Sequence, residues 1–229
     1  MIARLQAAGV DARDVEGGVW IGVPDRAFAQ AALRALGVSA VVAGGGVQVP
    51  ADAVDAVLAV CAPECLLFDL DGVLADVSQS YRAAIVAAAA AFGVTLTPAA
   101  IAAGKAEGDA NNDWVLTRRL MARQGVEVSL EAVTEAFEAA YQGTDDAPGL
   151  WRTERLLVDL EWLGALGERW PLGIVTGRPR GDADRFFGET GLGALVAASV
   201  TMHEAAAKPD PAPVRLCLER LGRRRAWLV

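Results

Sequence analysis

The chain reads as an α/β protein: a doubly wound, Rossmann-like parallel sheet as core, an all-helical insert within it, and a small α/β unit in front. Two observations predict this. Cys65-Leu66-Leu67-Phe68 and Leu172-Gly173-Ile174-Val175 are short continuous apolar runs, the pattern of strands buried on both faces of a parallel sheet. From residue 172 onward strand patterns alternate with helical ones, as a doubly wound sheet requires.

Taken in order, residues 18–23 are strand-like, 26–36 helical, 39–49 strand-rich and 51–60 helical, which defines a small unit over residues 1–62. The triplet Gly44-Gly45-Gly46 reads as a hairpin turn, because consecutive glycines supply the positive φ angles that tight turns need. After the run at 65–68, residues 80–92, 111–124, 129–141 and 149–166 have helical spacing and sparse β-branched content. They predict a helical cap over 79–149, leaving 63–78 and 150–229 to the core. Within that core 172–176 reads as strand, 182–190 as helix, 195–201 as strand, 211–221 as helix and 226–229 as a strand's beginning.

Composition narrows the function. The 229 residues are 53% hydrophobic with a net charge of −8, so the chain can bury a substantial core and lacks the clustered basic charge of nucleic-acid binders. The run Arg223-Arg224-Arg225 reads as a solvated helix end. The apolar stretch 83–94 is too short to span a bilayer, and no secretory core follows the N-terminus, so a cytoplasmic protein is expected. Three cysteines and one histidine do not make an ordinary zinc site, and the cysteines read as buried thiols.

The chemistry concentrates in Phe68-Asp69-Leu70-Asp71-Gly72, where two carboxylates stand at the carboxyl end of a buried strand before a glycine turn. In an open α/β sheet that end faces the ligand crevice. Two acids on one side of an extended chain repel, and a hard divalent cation such as Mg²⁺ would relieve them. A second buried strand ends in Thr176-Gly177-Arg178, and Lys208-Pro209-Asp210-Pro211 sets a lysine before a proline-opened helix.

The order and spacing of these three motifs resemble the haloacid dehalogenase superfamily over residues 64 to 229, with Asp69 and Thr176 standing 107 positions apart and Thr176 and Lys208 standing 32 apart. The resemblance implies a Mg²⁺-dependent phosphatase of the capped subfamily. It implies Asp69 as nucleophile, Asp71 as acid/base, Thr176, Gly177 and Lys208 as phosphate ligands, and Asp69 with Asp71 as metal ligands. Asp71 argues against a dehalogenase, whose halide needs no proton. Tyr81, twelve positions past the nucleophile where related mutases carry histidine, argues against a mutase. Lys105, the one lysine of the insert, sits in what reads as an exposed turn rather than as the Schiff-base lysine of phosphonate-cleaving relatives. The family's fourth, acidic motif would begin just past Trp227-Leu228-Val229, and weak Mg²⁺ binding by these 229 residues is the expectation.

Residues 104–114 read as a specificity loop in which Asn111 and Asn112 contact substrate, with a helix N-cap as the alternative role for either. Trp114 reads as cap core and His203 as a loop residue. Segments 8–13 and 18–24 faintly resemble the C-terminal end of fold-type I aminotransferases such as histidinol-phosphate aminotransferase. That likeness points to histidinol phosphate or an amino-acid-related phosphate as substrate, whereas a docking or dimerisation role for the unit, with a homodimer as the assembly, is the simpler expectation. The sequence therefore predicts hydrolysis of a small phosphorylated metabolite. A non-catalytic binding module, another phosphotransferase or a phosphonatase are the alternatives.

Overall fold

The computed structural model describes residues 2–108 and 112–229. Its first unit runs α1 (Ile2–Ala7), β1 (Ala12–Val15), β2 (Gly18–Gly22), α2 (Arg26–Ala35), β3 (Val41–Ala43), β4 (Gly46–Val49) and α3 (Val54–Cys61). The strands form an antiparallel sheet in the order β1-β2-β4-β3. Alternate residues Val19, Ile21, Val47 and Val49 are buried in one cluster with Leu33 and Val57, which gives this unit a core of its own. Asp25 caps α2 by accepting from the Phe28 amide at 2.9 Å. Gly44, at φ 58°, turns the chain between β3 and β4. Helix α1 and strand β1 add to the elements that the sequence pattern predicts.

The second sheet is parallel, in the order β11-β10-β5-β12, from β5 (Cys65–Phe68), β10 (Leu172–Val175), β11 (Val196–Val200) and β12 (Ala226–Leu228). Leu66 and Phe68 face a layer built with Leu163, Ala183 and Phe186, while Cys65 and Leu67 face Cys217 on the other side. The first layer comes from α8 (Leu160–Gly167) and α9 (Arg180–Thr190), the second from α10 (Ala212–Leu221). Helices on both faces explain why the central strands β5 and β10 are buried at every position. Gly173 lets β10 approach closely: a Cβ there would stand 2.6 Å from Leu67 Cδ2 and 2.8 Å from Cys217 Sγ. All three cysteines are free thiols, with Cys65 and Cys217 buried.

Between β5 and β10, β6 (Ala75–Asp76) leads into helices α4 (Tyr81–Ala91), α5 (Pro98–Ala106), α6 (Asp113–Ala122) and α7 (Leu130–Gln142). Thr97, Asn112 and Ser129 cap α5, α6 and α7 by accepting from backbone amides. The helices share a core that includes Ile85, Leu116, Met121 and Phe137. Tyr81 and Tyr141 pack in it with ring centroids 4.5 Å apart, a contact worth about 0.5–1.5 kcal/mol beyond its buried area. Trp114 lies edge-on to Phe137 and donates to Glu138, a packing role.

Two local expectations are corrected. Residues 149–166 are not one helix: a short hairpin of β7 (Gly143–Thr144) and β8 (Ala147–Pro148) leads to a 3-10 turn at Leu150–Thr153, then β9 (Arg155–Leu156), and α8 starts only at Leu160. Antiparallel pairing of β9 with β6 competes with helix there, and Asp159 restarts the helix by accepting from the Glu161 amide at 2.6 Å. Gly104 and Lys105 belong to α5 rather than to a turn, and Lys105 Nζ lies 3.0 Å from Asp113 Oδ1 at the start of α6. No helix among the described residues is long and apolar enough to cross a membrane.

One polar cluster fastens β11 to its flanking helices. Glu204 accepts from the Thr201 amide at 2.7 Å and hydroxyl at 2.6 Å and pairs with Arg220 at 2.8 Å and with Arg180. Burial opposes its charge, but the bonds from Thr201, Arg220 and Arg180 outweigh this and hold its pKa down, at about 2 instead of 4.5. A depressed folded pKa contributes stability that is complete above the unfolded value and is lost as pH falls from about 4.5 toward 2. Allowing for solvent screening, that contribution is roughly 1–2 kcal/mol. Glu204→Gln should accordingly flatten the fall in urea-unfolding free energy between pH 5 and about 3, and an unchanged slope would remove this cluster from the acid sensitivity.

Candidate active site

Strand β5 is the first strand of its sheet in sequence, and it lies between the second and the fourth. Ligand crevices in open parallel sheets form outside the carboxyl ends of strands where the winding reverses, and Asp69 directly follows β5 there. The Asp69 amide donates to Val229 O at 3.0 Å, while its carboxylate accepts from the Leu70 amide at 2.8 Å. Gly72, at φ 80°, makes the turn that follows Asp71.

Lys208 joins the ends of two strands. Its Nζ lies 2.6 Å from Asp69 Oδ2 and donates to the Val175 carbonyl, the last residue of β10, at 3.2 Å. Thr176 follows at once; it is buried, its amide bonds to Val200 O at 2.9 Å, and its hydroxyl oxygen accepts from the Arg178 amide at 3.2 Å. Gly177 is exposed at the same strand end. Asp69, Asp71, Thr176, Gly177 and Lys208 are thus gathered at one end of the sheet. Asn112 is used differently, since its side-chain oxygen accepts from the Trp114 and Val115 amides at 3.0 and 3.1 Å as the N-cap of α6. Asn111 lies outside the described residues. His203 is an exposed loop residue with φ 71°.

The residue that sequence reasoning missed is Arg178. Its side chain is wholly buried; Nε donates to Asp71 Oδ1 at 2.7 Å, and Nη2 lies 2.6 Å from the same oxygen at an angle too bent for a second hydrogen bond. Nη1 donates to Glu154 Oε2 at 2.7 Å. Tyr141 donates to the other Glu154 oxygen at 3.0 Å, and the Tyr81 and Phe186 rings flank the guanidinium with centroids 5.2 and 5.0 Å away. Burial works against the charge of Arg178, yet Asp71 and Glu154 more than offset it and raise its pKa. Burial raises the Asp71 pKa, against the lowering effect of Arg178. It also raises those of the Tyr81 and Tyr141 phenols, which therefore act as donors. The partner of the second acid is thus an arginine on β10's following loop, where the sequence pattern suggested only a metal. In the sequence Arg178 is only the second residue after a strand-end threonine, and nothing local marks it as buried or paired.

Among the described residues no group of three or more His, Cys, Asp and Glu side chains converges as a metal cage. The donors present do suit Mg²⁺, a hard cation commonly held by one or two carboxylates together with waters and substrate phosphate.

A parallel sheet carrying paired acids and a lysine at its carboxyl edge, with helices inserted after its first strand, defines the class as an α/β protein with a polar site at the strand ends. Residues 63–226 match the model of the haloacid dehalogenase-like hydrolases, and the chain belongs to that family. An imidazoleglycerol-phosphate dehydratase from Phytophthora nicotianae is 43% identical over 166 residues, which are 69% of this chain and 36% of that protein. The chain thus spans about a third of the length of this curated relative. Among solved structures, phosphatase Tt82 from Thermococcus thioreducens is 25% identical with a TM-score of 0.51, covering 67% of this chain and 78% of its own. A Haemophilus somnus protein described as a predicted phosphoglycolate phosphatase is 16% identical with a TM-score of 0.59, covering 72% and 75%. The latter likeness concerns the fold alone. The family model leaves the first 62 residues outside its match.

Proposed function

We propose that the chain hydrolyses a small phosphate monoester through an aspartyl-phosphate on Asp69. The observation that carries this reading is the bridge from Asp69 through Lys208 to the end of β10, which sets a carboxylate, an ammonium group and the Thr176 segment around one space. In the first step the Asp69 carboxylate oxygen attacks phosphorus, the bond from phosphorus to the ester oxygen breaks, and protonated Asp71 gives its proton to the departing alcohol. In the second, water attacks the aspartyl-phosphate, Asp71 takes the water's proton, and inorganic phosphate leaves with Asp69 restored. Lys208 offsets the charge that the phosphoryl group brings beside Asp69, and Thr176 and Gly177 supply further polar contacts to it. Members of this family generally use Mg²⁺; here the Asp69 carboxylate and the Asp71 backbone carbonyl would hold it, and it would neutralise phosphate charge.

The substrate is read as a phosphorylated metabolite small enough for the crevice beneath the cap. The relative's name contains imidazoleglycerol phosphate, itself a phosphate monoester, so that compound and histidinol phosphate head the substrate screen.

The test uses p-nitrophenyl phosphate with and without Mg²⁺, with wild type and Asp71→Asn compared in each. Expected is metal-dependent release of nitrophenol by the wild type and, on an alkyl phosphate assayed beside it, whose leaving group needs a proton, turnover in the variant lower by about 10²–10⁴-fold. A folded wild-type protein inactive on every phosphate ester tried, with Mg²⁺ present, would favour a binding module instead.

A further inference from the structure

We propose that Arg178 is a positioning residue for Asp71: anchored by Glu154, it fixes one oxygen of the Asp71 carboxylate and leaves the other directed to the leaving group of the substrate. This deepens the phosphatase reading and rests on its assignment of Asp71 to proton transfer.

Arg178 spends two nitrogens on one Asp71 oxygen, at 2.7 and 2.6 Å, and no described donor engages the other oxygen of that side chain, which is 34% exposed. Its third nitrogen goes to Glu154, whose side chain is 4% exposed and whose second oxygen is held by Tyr141 from the last helix of the insert. The rings of Tyr81, at the first turn of α4, and of Phe186 in α9 lie with centroids 5.2 and 5.0 Å from the guanidinium carbon. The arginine is therefore held by two carboxylates and packed against two rings. An aimed carboxylate oxygen gains from this because proton transfer demands hydrogen-bond reach and alignment to the atom that receives the proton. The phosphoryl-binding side of the crevice belongs to Lys208 and Thr176, which Arg178 touches only through its backbone amide. The arrangement thus predicts an effect on leaving-group departure and not on phosphate affinity.

The experiment compares an aryl ester, p-nitrophenyl phosphate, whose leaving group departs with little protonation, and an alkyl ester, n-propyl phosphate, whose alkoxide needs the proton. Wild type, Arg178→Met, Arg178→Lys, Glu154→Gln, Tyr141→Phe and Asp71→Asn are each measured in Mg²⁺, with inorganic phosphate as competitive inhibitor and a circular-dichroism melt as the check on folding. For Arg178→Met and Glu154→Gln, kcat/KM, which reports the steps through departure of the leaving group and not the later hydrolysis shared by both esters, should fall by about 100-fold on the alkyl ester and by less than about 10-fold on the aryl ester, with the phosphate inhibition constant within about threefold of wild type. Arg178→Lys should recover about tenfold of the alkyl loss. Tyr141→Phe, a milder change, should lower only the alkyl rate, by about threefold. If Arg178→Met fails to fold, the lysine, glutamine and phenylalanine variants carry the same comparison.

Equal losses of kcat/KM on both esters, or a phosphate inhibition constant that rises in step with the loss, would overturn the positioning role. Asp71→Asn separates the two levels. If it lacks leaving-group dependence, the assignment of Asp71 fails and this inference with it; if it shows that dependence and the Arg178 and Glu154 variants do not, only the inference fails.

Discussion

Asp69→Asn should reduce phosphate-ester turnover by at least about 10⁴-fold, the order of loss seen when a nucleophile is removed from a covalent mechanism. The carboxamide is nearly isosteric and its oxygen can still accept from the Leu70 amide, now bonded at 2.8 Å. What disappears is the negative oxygen beside Lys208. That ion pair is part-exposed, 36% on the aspartate side and 26% on the lysine side, so its loss should cost no more than about 1 kcal/mol of stability. Activity and folding are thereby separable: a variant that melts within a few degrees of wild type yet turns over no p-nitrophenyl phosphate is the expected outcome. Retention of even about one per cent of the activity would refute the aspartyl-phosphate route and move the reading to direct attack by water.

The largest stability effect is expected at Arg178. Replacement by methionine keeps much of the packing against Tyr81 and Phe186 but leaves the buried Glu154 carboxylate and half-buried Asp71 without their cation. Removing one member of a buried ion pair typically costs about 3–5 kcal/mol, because the remaining charge is desolvated and uncompensated. Urea unfolding should show a loss of that order, with a further Glu154→Gln substitution restoring part of it, since a neutral amide is cheaper to bury than an unpaired carboxylate. A loss below about 1 kcal/mol, or a double variant no more stable than the single, would mean that water reaches these groups and the triad adds little to stability.

Membership of the haloacid dehalogenase-like hydrolases is legible in the sequence, because the residues that mark it form local patterns. An unbroken apolar run ending in Asp69-Leu70-Asp71-Gly72 specifies a doubly covered strand and the turn beyond it. The run ending in Thr176 repeats the signal, and Lys208 stands before the proline that opens α10. Elements set by tertiary pairing were less legible. The segment around Glu154 has helical composition, yet the two-residue pairing of β9 with β6 breaks it and leaves Glu154 between a 3-10 turn and that strand. Lys105 ends a helix instead of a turn because Pro98 and the Thr97 cap start α5 early enough to include it.

The sequence alone determined the parallel-sheet core, the helical insert and the strand ends that carry Asp69, Thr176 and Lys208, since periodicity and turn chemistry act over a few residues. Only the tertiary structure decided that Asp71 is met by an arginine 107 positions away, that Glu154 holds this arginine from 24 positions before it, and that Tyr141 ties the group to the insert. Charge pairing across such separations leaves no local pattern, because it depends on which strand ends the sheet order places side by side.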